Sequence, residues 1–146
     1  MEKIIVYTDG GSRGNPGPAG IGVVIENNKE EVIKEYSACL GEATNNEAEY
    51  QALIFALKKV KALFGKEKIK KTEMEIRSDS ELLVSQLNGK YKVLDKDIQP
   101  LFLQAWNLKT DFGKIKFTAL PREENKEADR LVNQALDEQQ KSQKLF

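Results

Sequence analysis

Short apolar runs rich in β-branched residues alternate along this chain with segments in which apolar residues recur every three or four positions. The uninterrupted run Ile4-Ile5-Val6 is typical of a strand buried on both faces. Similar short runs predict four further strands, and helical spacing predicts four helices. The predicted strands cover residues 3–8, 21–25, 32–40, 74–77 and 114–120, and the predicted helices run from the capping residues at 44–46 to about 64 and over 81–87, 97–110 and about 125–140.

The order of these elements predicts an α/β fold. The first three strands, two of them separated by the hairpin-type pair Asn27-Asn28, favour an antiparallel meander. The order that follows is helix, strand, helices, strand and helix, which indicates a mixed five-stranded sheet with helices packed on it. With 146 residues, we expect one domain over 1–146, in which 139–146 form a frayed, flexible tail that ends in Leu145-Phe146.

Composition excludes several kinds of chemistry. The absence of histidine excludes a Ser-His-Asp triad, a histidine general base and histidine-containing zinc sites, and one cysteine excludes thiolate metal sites. A bound metal therefore needs oxygen ligands, which favours Mg²⁺ or Mn²⁺. No apolar run reaches membrane-spanning length and no signal-peptide pattern is present, so we expect a cytoplasmic protein without a membrane partner.

Charge is balanced overall but uneven along the chain. The formal net charge is zero, so no global field attracts nucleic acid. One segment departs from this balance, since between 58 and 71 the only acid is Glu67 and the lysines stand at 58, 59, 61, 66, 68, 70 and 71. The sequence leaves two interpretations open: a solvated helix end with its loop, or a surface that faces phosphates.

Asp9 follows the first apolar run and precedes a segment dense in Gly and Pro at 10–20. We expect it where the buried strand ends, in a position suited to a metal ligand. The glycines after it would let backbone amides approach a ligand closely. The alternative is that Asp9 only begins a turn, as Asp before Gly often does.

The predicted helix after residue 44 carries two acids near its start. Helical geometry places Glu49 on the stripe of Leu53, Ala56 and Val60, whereas Glu47 lies roughly 90° or more away. A carboxylate on a buried stripe needs a partner, for which a metal ion, Arg or Lys would serve. The electrostatics of a helix N-terminus would favour either glutamate without any further role.

Two more acids stand at the borders of predicted elements. Asp79 lies where a strand meets a helix and competes with Ser80 for the N-cap. Asp129 lies on the last helix, where Arg130 or Lys126 could make it an ordinary surface ion pair.

Asp9, Glu49, Asp79 and Asp129 could nevertheless converge at one edge of the sheet. Clustered carboxylates repel one another unless a cation neutralises them. Such an arrangement suits phosphodiester hydrolysis with two metal ions.

Four motifs resemble those of type 1 ribonucleases H. They are Thr8-Asp9-Gly10-Gly11 with Gly14-Asn15-Pro16-Gly17, Thr44-Asn45-Asn46 with Glu49 three residues later, Ser78-Asp79-Ser80, and Asn125-Lys126-Glu127-Ala128-Asp129. Each motif alone is weak, but all four occur in order over nearly the whole chain. The resemblance implies the ribonuclease H-like fold, a five-stranded sheet of three antiparallel and two parallel strands flanked by helices.

The resemblance also implies an enzyme, a monomer that hydrolyses the RNA strand of an RNA–DNA hybrid with two Mg²⁺ ions, for which Mn²⁺ can substitute. The products would carry 5′-phosphate and 3′-hydroxyl groups. Asp9 would bridge both ions, and Asp129 would help to hold the ion that activates water. Glu49 and Asp79 would hold the ion at the leaving 3′ oxygen.

The same resemblance implies substrate contacts from residues whose other interpretation is capping or turn formation. Asn45 and Asn46 match minor-groove positions, the loop from Gly10 to Asn15 matches a backbone that contacts 2′-hydroxyl groups, and Thr44 matches a DNA-phosphate contact. With Arg122, which could contact a phosphate, the full set of candidate contacts is Gly10, Gly11, Ser12, Asn15, Thr44, Asn45, Asn46, Ser80 and Arg122.

Three departures from the family pattern change the expectation. Arg122 stands in the loop where many members have a mobile histidine, and Arg cannot shuttle protons near neutral pH. Glu81 stands at a position where members of this family often have Gln. The long basic insertion that grips the hybrid is absent, with Lys90, Tyr91 and Lys92 as its remnants, so we expect weak, salt-sensitive binding.

Compact members of this kind resemble an archaeal-like subgroup, some of which also cut double-stranded RNA. Two alternatives stay open. One is another nuclease on the same fold, of the resolvase or transposase type. The other is a non-catalytic module that binds hybrids.

Overall fold

A computed structural model describes residues 2–144. These residues form five strands and five α-helices, with a short 3₁₀ turn before the last helix. The strands are β1 (Lys3–Ser12), β2 (Gly17–Asn27), β3 (Val32–Ala43), β4 (Glu73–Ser78) and β5 (Lys114–Ala119), the helices are α1 (Asn45–Phe64), α2 (Lys66–Lys71), α3 (Glu81–Leu87), α4 (Gln99–Lys109) and α5 (Lys126–Lys144), and the turn covers Arg122–Glu124.

The strands form one mixed sheet in the order β3-β2-β1-β4-β5. β1 and β2 pair antiparallel, as do β2 and β3, and Asn27 closes the second hairpin by accepting from the amides of Lys29 and Glu31. β4 lies parallel to both β1 and β5. The predicted meander and the predicted five-stranded mixed sheet are confirmed.

Helices cover the two faces of the sheet unequally. The main core lies between the sheet and α1, where Leu53, Leu57 and Val60 are fully buried against Val6 and Ile76. α5 covers the opposite face over β1, β2 and β3. Its apolar stripe there is Ala128, Leu131, Val132, Ala135 and Leu136, all buried. None of the helices in the described part of the chain is both long and apolar enough to cross a membrane.

Gly22 allows α5 to lie directly on the sheet. A Cβ atom at this position would overlap the backbone carbonyl of Ala128 and lie 2.9 Å from the Cβ of Leu131. Because Gly22 has no side chain, α5 packs directly against β2. This close packing sets where the start of α5 lies relative to the sheet edge.

The first hairpin is longer than predicted. Residues 10–20 were expected to form a turn, but β1 continues to Ser12 and β2 begins at Gly17, and the Arg13 amide donates to the Pro18 carbonyl at 2.8 Å. Asp9 therefore lies inside β1, opposite Gly22, rather than at the strand end. Ladder hydrogen bonds to β2 override the low strand propensity of glycine here.

The lysine-rich segment contains a helix that the apolar pattern did not predict, α2, in which Ile69 is the buried residue. A single apolar side chain in six residues leaves no periodicity to detect. Lys61 pairs with Asp111 at 2.8 Å and Lys68 pairs with Glu2 at 3.4 Å. These contacts favour the solvated helix end over the phosphate-facing surface.

The expected flexible tail is helical over most of its length. α5 extends to Lys144, so residues 139–144, which were expected to belong to a frayed end, lie in a helix. Gln139 is half-buried beyond the last apolar position of the stripe, so the contact with the body continues further than the apolar pattern indicates. Leu145 and Phe146, which were expected to end the tail, lie outside the described residues.

Candidate active site

Two parallel strands bring Asp9 and Asp79 to the same edge of the sheet. β1 and β4 pair in register up to Thr8 and Ser78, and both carboxylates follow directly on that last pair. The first turns of α1 lie beside this edge and carry Glu49. One carboxylate oxygen from each of Asp9, Glu49 and Asp79 lies within 4.8 Å of the other two. We call these three residues the acidic cluster.

Gly10 holds Glu49 in place through its backbone. The Gly10 amide donates to Glu49 Oε1 at 2.7 Å. A Cβ on Gly10 would overlap the backbone carbonyl of Ala48, so only glycine lets α1 approach β1 this closely. The sequence left a metal ion, Arg or Lys as the partner of Glu49. It missed the backbone amide, because side-chain spacing carries no information on where another strand's N–H points.

Thr44 and Ser80 are helix caps and do not belong to the acidic cluster. Thr44 caps α1, since its hydroxyl accepts from the Glu47 amide at 3.2 Å while the Glu47 carboxylate accepts from the Thr44 amide at 2.9 Å. Ser80 caps α3 by accepting from the Leu83 amide at 3.2 Å. The capping alternative for Asp79 is therefore wrong, and its carboxylate is free to face the cluster.

Asp129 approaches the acidic cluster from α5. Its side chain is within hydrogen-bonding reach of Asp9, although it does not belong to the group of oxygens that lie within 4.8 Å of one another. The alternative of a surface ion pair with Arg130 is wrong, because Arg130 contacts Glu127 at 3.1 Å and Glu35 at 3.3 Å. All four predicted acids thus lie at one edge of the sheet, with Asp129 at its exposed side.

Burial and mutual repulsion make the acidic cluster costly to ionise. Burial, followed by the charges of Asp79 and Asp129, raises the pKa of Asp9 to about 8. Burial and the charges of Asp9 and Asp79 also raise the pKa of Glu49, against the opposing hydrogen bond from Gly10. A cation bound among these oxygens would relieve both effects.

Arg122 forms an ion pair with the acidic cluster. It lies in the 3₁₀ turn before α5, and its Nε is 3.6 Å from Asp79 Oδ2. Its side chain is 86% exposed, whereas that of Asp79 is 8% exposed. Its positive charge lowers the pKa of both Asp9 and Glu49 without cancelling their rise. An exposed guanidinium of this kind is able to leave Asp79 and contact a phosphate.

The loop between β1 and β2 is tied to the start of α1. Asn45 Oδ1 accepts from the Ser12 amide at 3.0 Å and from the Ser12 hydroxyl at 3.1 Å, and the Asn45 amide donates to Asn15 Oδ1 at 3.0 Å. Gly11 is half-buried in β1, and Asn46 is exposed in the first turn of α1. Five of the predicted substrate-contact residues therefore lie together beside the acidic cluster, namely Gly11, Ser12, Asn15, Asn45 and Asn46.

Comparisons with known proteins agree with this geometry. A family profile described as Reverse transcriptase-like matches residues 7–135. A Ribonuclease H of Methylococcus capsulatus is 33% identical over an alignment of 149 positions, which covers 97% of this chain and 94% of that protein. This chain belongs to the type 1 ribonuclease H family.

Solved ribonuclease H structures superpose closely on this family member. LC11-RNase H1, isolated from compost, has a TM-score of 0.89 and 48% identity, covering 94% of this chain and 98% of that one. The same protein in complex with RNA/DNA hybrid has a TM-score of 0.88. The bifunctional protein Rv2228c of Mycobacterium tuberculosis is 41% identical over 136 residues, and this chain spans 36% of its length. The expected family and fold are confirmed.

The sequence indicated Asn125 only as part of a motif and did not identify it as a residue of the site. Asn125 is 1% exposed, and its Nδ2 donates to the Thr8 carbonyl at 2.9 Å and to Asp79 Oδ1 at 3.4 Å. An asparagine directly before a predicted helix indicates a cap, so the sequence signal for this position points to a local rather than a long-range role.

The raised pKa of Asp9 predicts how the stability of this chain depends on pH without metal. The unfolded chain loses the Asp9 proton near the ordinary aspartate pKa of 3.8, and the folded chain retains it to about 8. The free energy of unfolding should therefore fall between these values, by at least about 1 kcal/mol, which is close to one pKa unit.

Urea unfolding in chelator across pH 4–8 measures this fall. Asp9→Asn is the control, since its pH profile should be flatter and its stability at pH 8 higher than that of the wild type. A wild-type stability that rises over the same range would contradict the prediction. Added Mn²⁺ should stabilise the wild type more than Asp9→Asn.

Proposed function

We propose that this chain hydrolyses the RNA strand of RNA–DNA hybrids with divalent metal ions at the acidic cluster. The convergence of the carboxylates of Asp9, Glu49 and Asp79 within 4.8 Å carries this proposal. The hybrid complex of LC11-RNase H1, 48% identical, supports the choice of substrate.

The donor set fits hard divalent cations. All of the clustered ligands are carboxylate oxygens, which Mg²⁺ and Mn²⁺ prefer. The acidic cluster would hold one ion, and Asp9 together with Asp129 would hold a second. Such ions supply charge stabilisation at both the attacking and the leaving oxygen of the phosphodiester.

The side chains of this chain would orient the reactants. Gly10 fixes the Glu49 carboxylate through its amide, so that oxygen is preorganised before substrate arrives. Asp129 is exposed beside Asp9 and is placed to orient a water for in-line attack. The proposed products carry 5′-phosphate and 3′-hydroxyl groups, because the P–O3′ bond is the one that breaks.

Selection of RNA would come from contacts to 2′-hydroxyl groups. These groups are what distinguishes RNA from DNA at a site. Ser12, Asn15 and Asn45 form a hydrogen-bonded surface next to the acidic cluster, with Asn46 exposed beside it. We propose that this surface, with Gly10 and Gly11, reads the minor groove, while Thr44, Ser80 and Arg122 face phosphates.

A groove between α3 and β5 offers further phosphate contacts. It encloses about 390 Å³ and leads away from Ala119, which pairs with Ser78 at the end of β4. Lys90, Lys116 and the exposed Tyr91 line it. We propose that this groove takes the role of the absent basic insertion.

Removing the two groove lysines should reduce the salt dependence of hybrid binding. With Lys90→Ala and Lys116→Ala combined, the slope of log K against log salt should become shallower by about 2, or nearly 1 per lost phosphate contact. The matched control combines Lys66→Ala and Lys71→Ala on α2, two lysines that do not line the groove. Fluorescence anisotropy in an Asp9→Asn background measures binding without cleavage. Equal slopes for both double variants would contradict the proposal.

A comparison of substrates tests the proposed function directly. The purified chain should be incubated in Mg²⁺, and again in Mn²⁺, with end-labelled RNA–DNA hybrid, double-stranded RNA and double-stranded DNA of one sequence. Cleavage of the RNA strand of the hybrid supports the proposal. Cleavage of DNA favours a resolvase-like nuclease, and binding without cleavage favours a non-catalytic module.

Three finer points are part of the same proposal. We propose a side activity on double-stranded RNA, which the second substrate tests. A monomeric state is tested by light scattering of the purified chain. Localisation in the cytoplasm, expected from the single Cys39, is tested by fractionation of cells.

A further inference from the structure

Asn125 contacts three acid-bearing elements at once. Its Nδ2 donates to the carbonyl of Thr8, the residue before Asp9, and to the carboxylate of Asp79. Its own carbonyl accepts from the Asp129 amide at 3.1 Å in the first turn of α5. One buried residue therefore joins β1, the end of β4 and the start of α5.

The chemistry of these contacts requires a neutral double donor. The Thr8 carbonyl and Asp79 Oδ1 are both acceptors, and Thr8 itself is fully buried. A primary amide supplies two N–H groups from one nitrogen, whereas a carboxylate at this position would repel Asp79.

Stability alone does not account for this residue. Asn125 Oδ1 is buried without a hydrogen-bond partner in the described part of the chain. A buried polar atom without a partner destabilises a fold by about 1–3 kcal/mol. Both side-chain hydrogen bonds of Asn125 come from Nδ2, which points to the donor half of the amide as the useful one.

We propose that Asn125 is a positioning residue that keeps Asp79 in the acidic cluster. This inference rests on the function proposed above and adds a residue to it. Without the Nδ2 donor, the Asp79 carboxylate would be free to rotate toward Arg122, whose Nε is already 3.6 Å away. The oxygens that hold the metal would then be less well organised, and metal binding would weaken.

Asn125→Ala removes the donor, and Asn88→Ala is the matched control. Asn88 Nδ2 also donates to a backbone carbonyl, that of Phe117 at 3.2 Å, but it contacts no residue of the acidic cluster. Three quantities are measured for each variant: the thermal midpoint without metal, the Mn²⁺ dissociation constant by calorimetry, and kcat and KM for hybrid cleavage.

Asn125→Ala should weaken Mn²⁺ binding and lower kcat by about tenfold or more each, a usual effect of removing a group that orients a ligand carboxylate. KM for the hybrid should stay within about twofold, because Asn125 is buried away from the substrate surface. Asn88→Ala should lower the thermal midpoint and leave the Mn²⁺ affinity unchanged. Because Asn88 lines the groove between α3 and β5, its Mn²⁺ affinity, and not its kinetics, serves as the control.

An Asn125→Ala protein with wild-type Mn²⁺ affinity and kcat would overturn the proposal, as would losses equal to those of Asn88→Ala. If Asn125→Ala does not fold, Asn125→Ser serves instead, because its hydroxyl is too short to reach both acceptors. Wild-type Mn²⁺ affinity in Asn125→Ser would equally overturn the proposal. A wild type that binds Mn²⁺ but leaves hybrid uncut refutes the proposed function, and the calorimetry still decides the role of Asn125.

Discussion

Asp9→Asn should lower the rate of hybrid cleavage by a thousandfold or more, that is by about 4 kcal/mol of transition-state stabilisation. Asp9 is the carboxylate that contacts both parts of the site, since its charge interacts with Asp79 in the cluster and its side chain reaches Asp129 on α5. An amide at this position keeps the shape but removes the charge that two cations would share. Every other acid in the proposed scheme serves one ion.

Single-turnover cleavage of an end-labelled hybrid in Mg²⁺ measures the Asp9→Asn effect. Glu47→Gln is the matched control, because Glu47 lies two residues before Glu49 on α1 but serves the capping box of that helix. Its rate should stay within about threefold of the wild type, because Glu47 belongs to the helix cap and acts on stability. Asp9→Asn should fold at least as stably as the wild type without metal, so a loss of activity accompanied by unfolding would not count as support. Cleavage by Asp9→Asn at close to the wild-type rate would refute the proposed site.

Gly22→Ala should destabilise the fold by about 2–4 kcal/mol, the upper range for overpacking a well-packed interface. The added Cβ would overlap the carbonyl of Ala128, which belongs to the backbone of α5 and cannot move without the helix. Because Asp129 is the next residue, displacement of α5 should also reduce cleavage.

Gly11→Ala is the control for Gly22→Ala. It lies on the same face of the sheet under the same helix, but its Cβ would be 3.6 Å from Val132 Cγ1, an ordinary contact. Its stability should remain within about 1 kcal/mol of the wild type. Urea unfolding of both variants measures the difference, and equal stabilities would show that α5 does not press on Gly22.

The sheet and most helices follow from local patterns in the chain. Uninterrupted apolar runs such as 4–6 indicate buried strands because burial on both faces leaves no polar positions. The stripe that includes Leu53 and Val60 indicates α1 for the corresponding reason at helical period. α2 and the helical residues beyond Gln139 escaped these patterns, because a short, lysine-rich helix and a polar helix end carry little apolar periodicity.

The candidate site, like the fold, could be predicted from the sequence only in part. The four acids could be chosen from their positions at element borders and from the motifs around them. Their partners could not, because the Gly10 amide and the Asn125 side chain reach residues 39 and 46 or more positions away in the chain. Contacts of that range depend on how β1, β4 and α5 are stacked.

By itself, the sequence determined the order of the five strands, the absence of histidine chemistry and the choice of candidate acids, since all three are local properties of the chain. The tertiary structure alone decided that the first hairpin extends past Asp9, that the Gly10 amide holds Glu49, and that Asn125 joins β1 to Asp79. These depend on backbone groups brought together across the sheet edge, and a backbone N–H or C=O is the same at every position of the sequence until the fold places it.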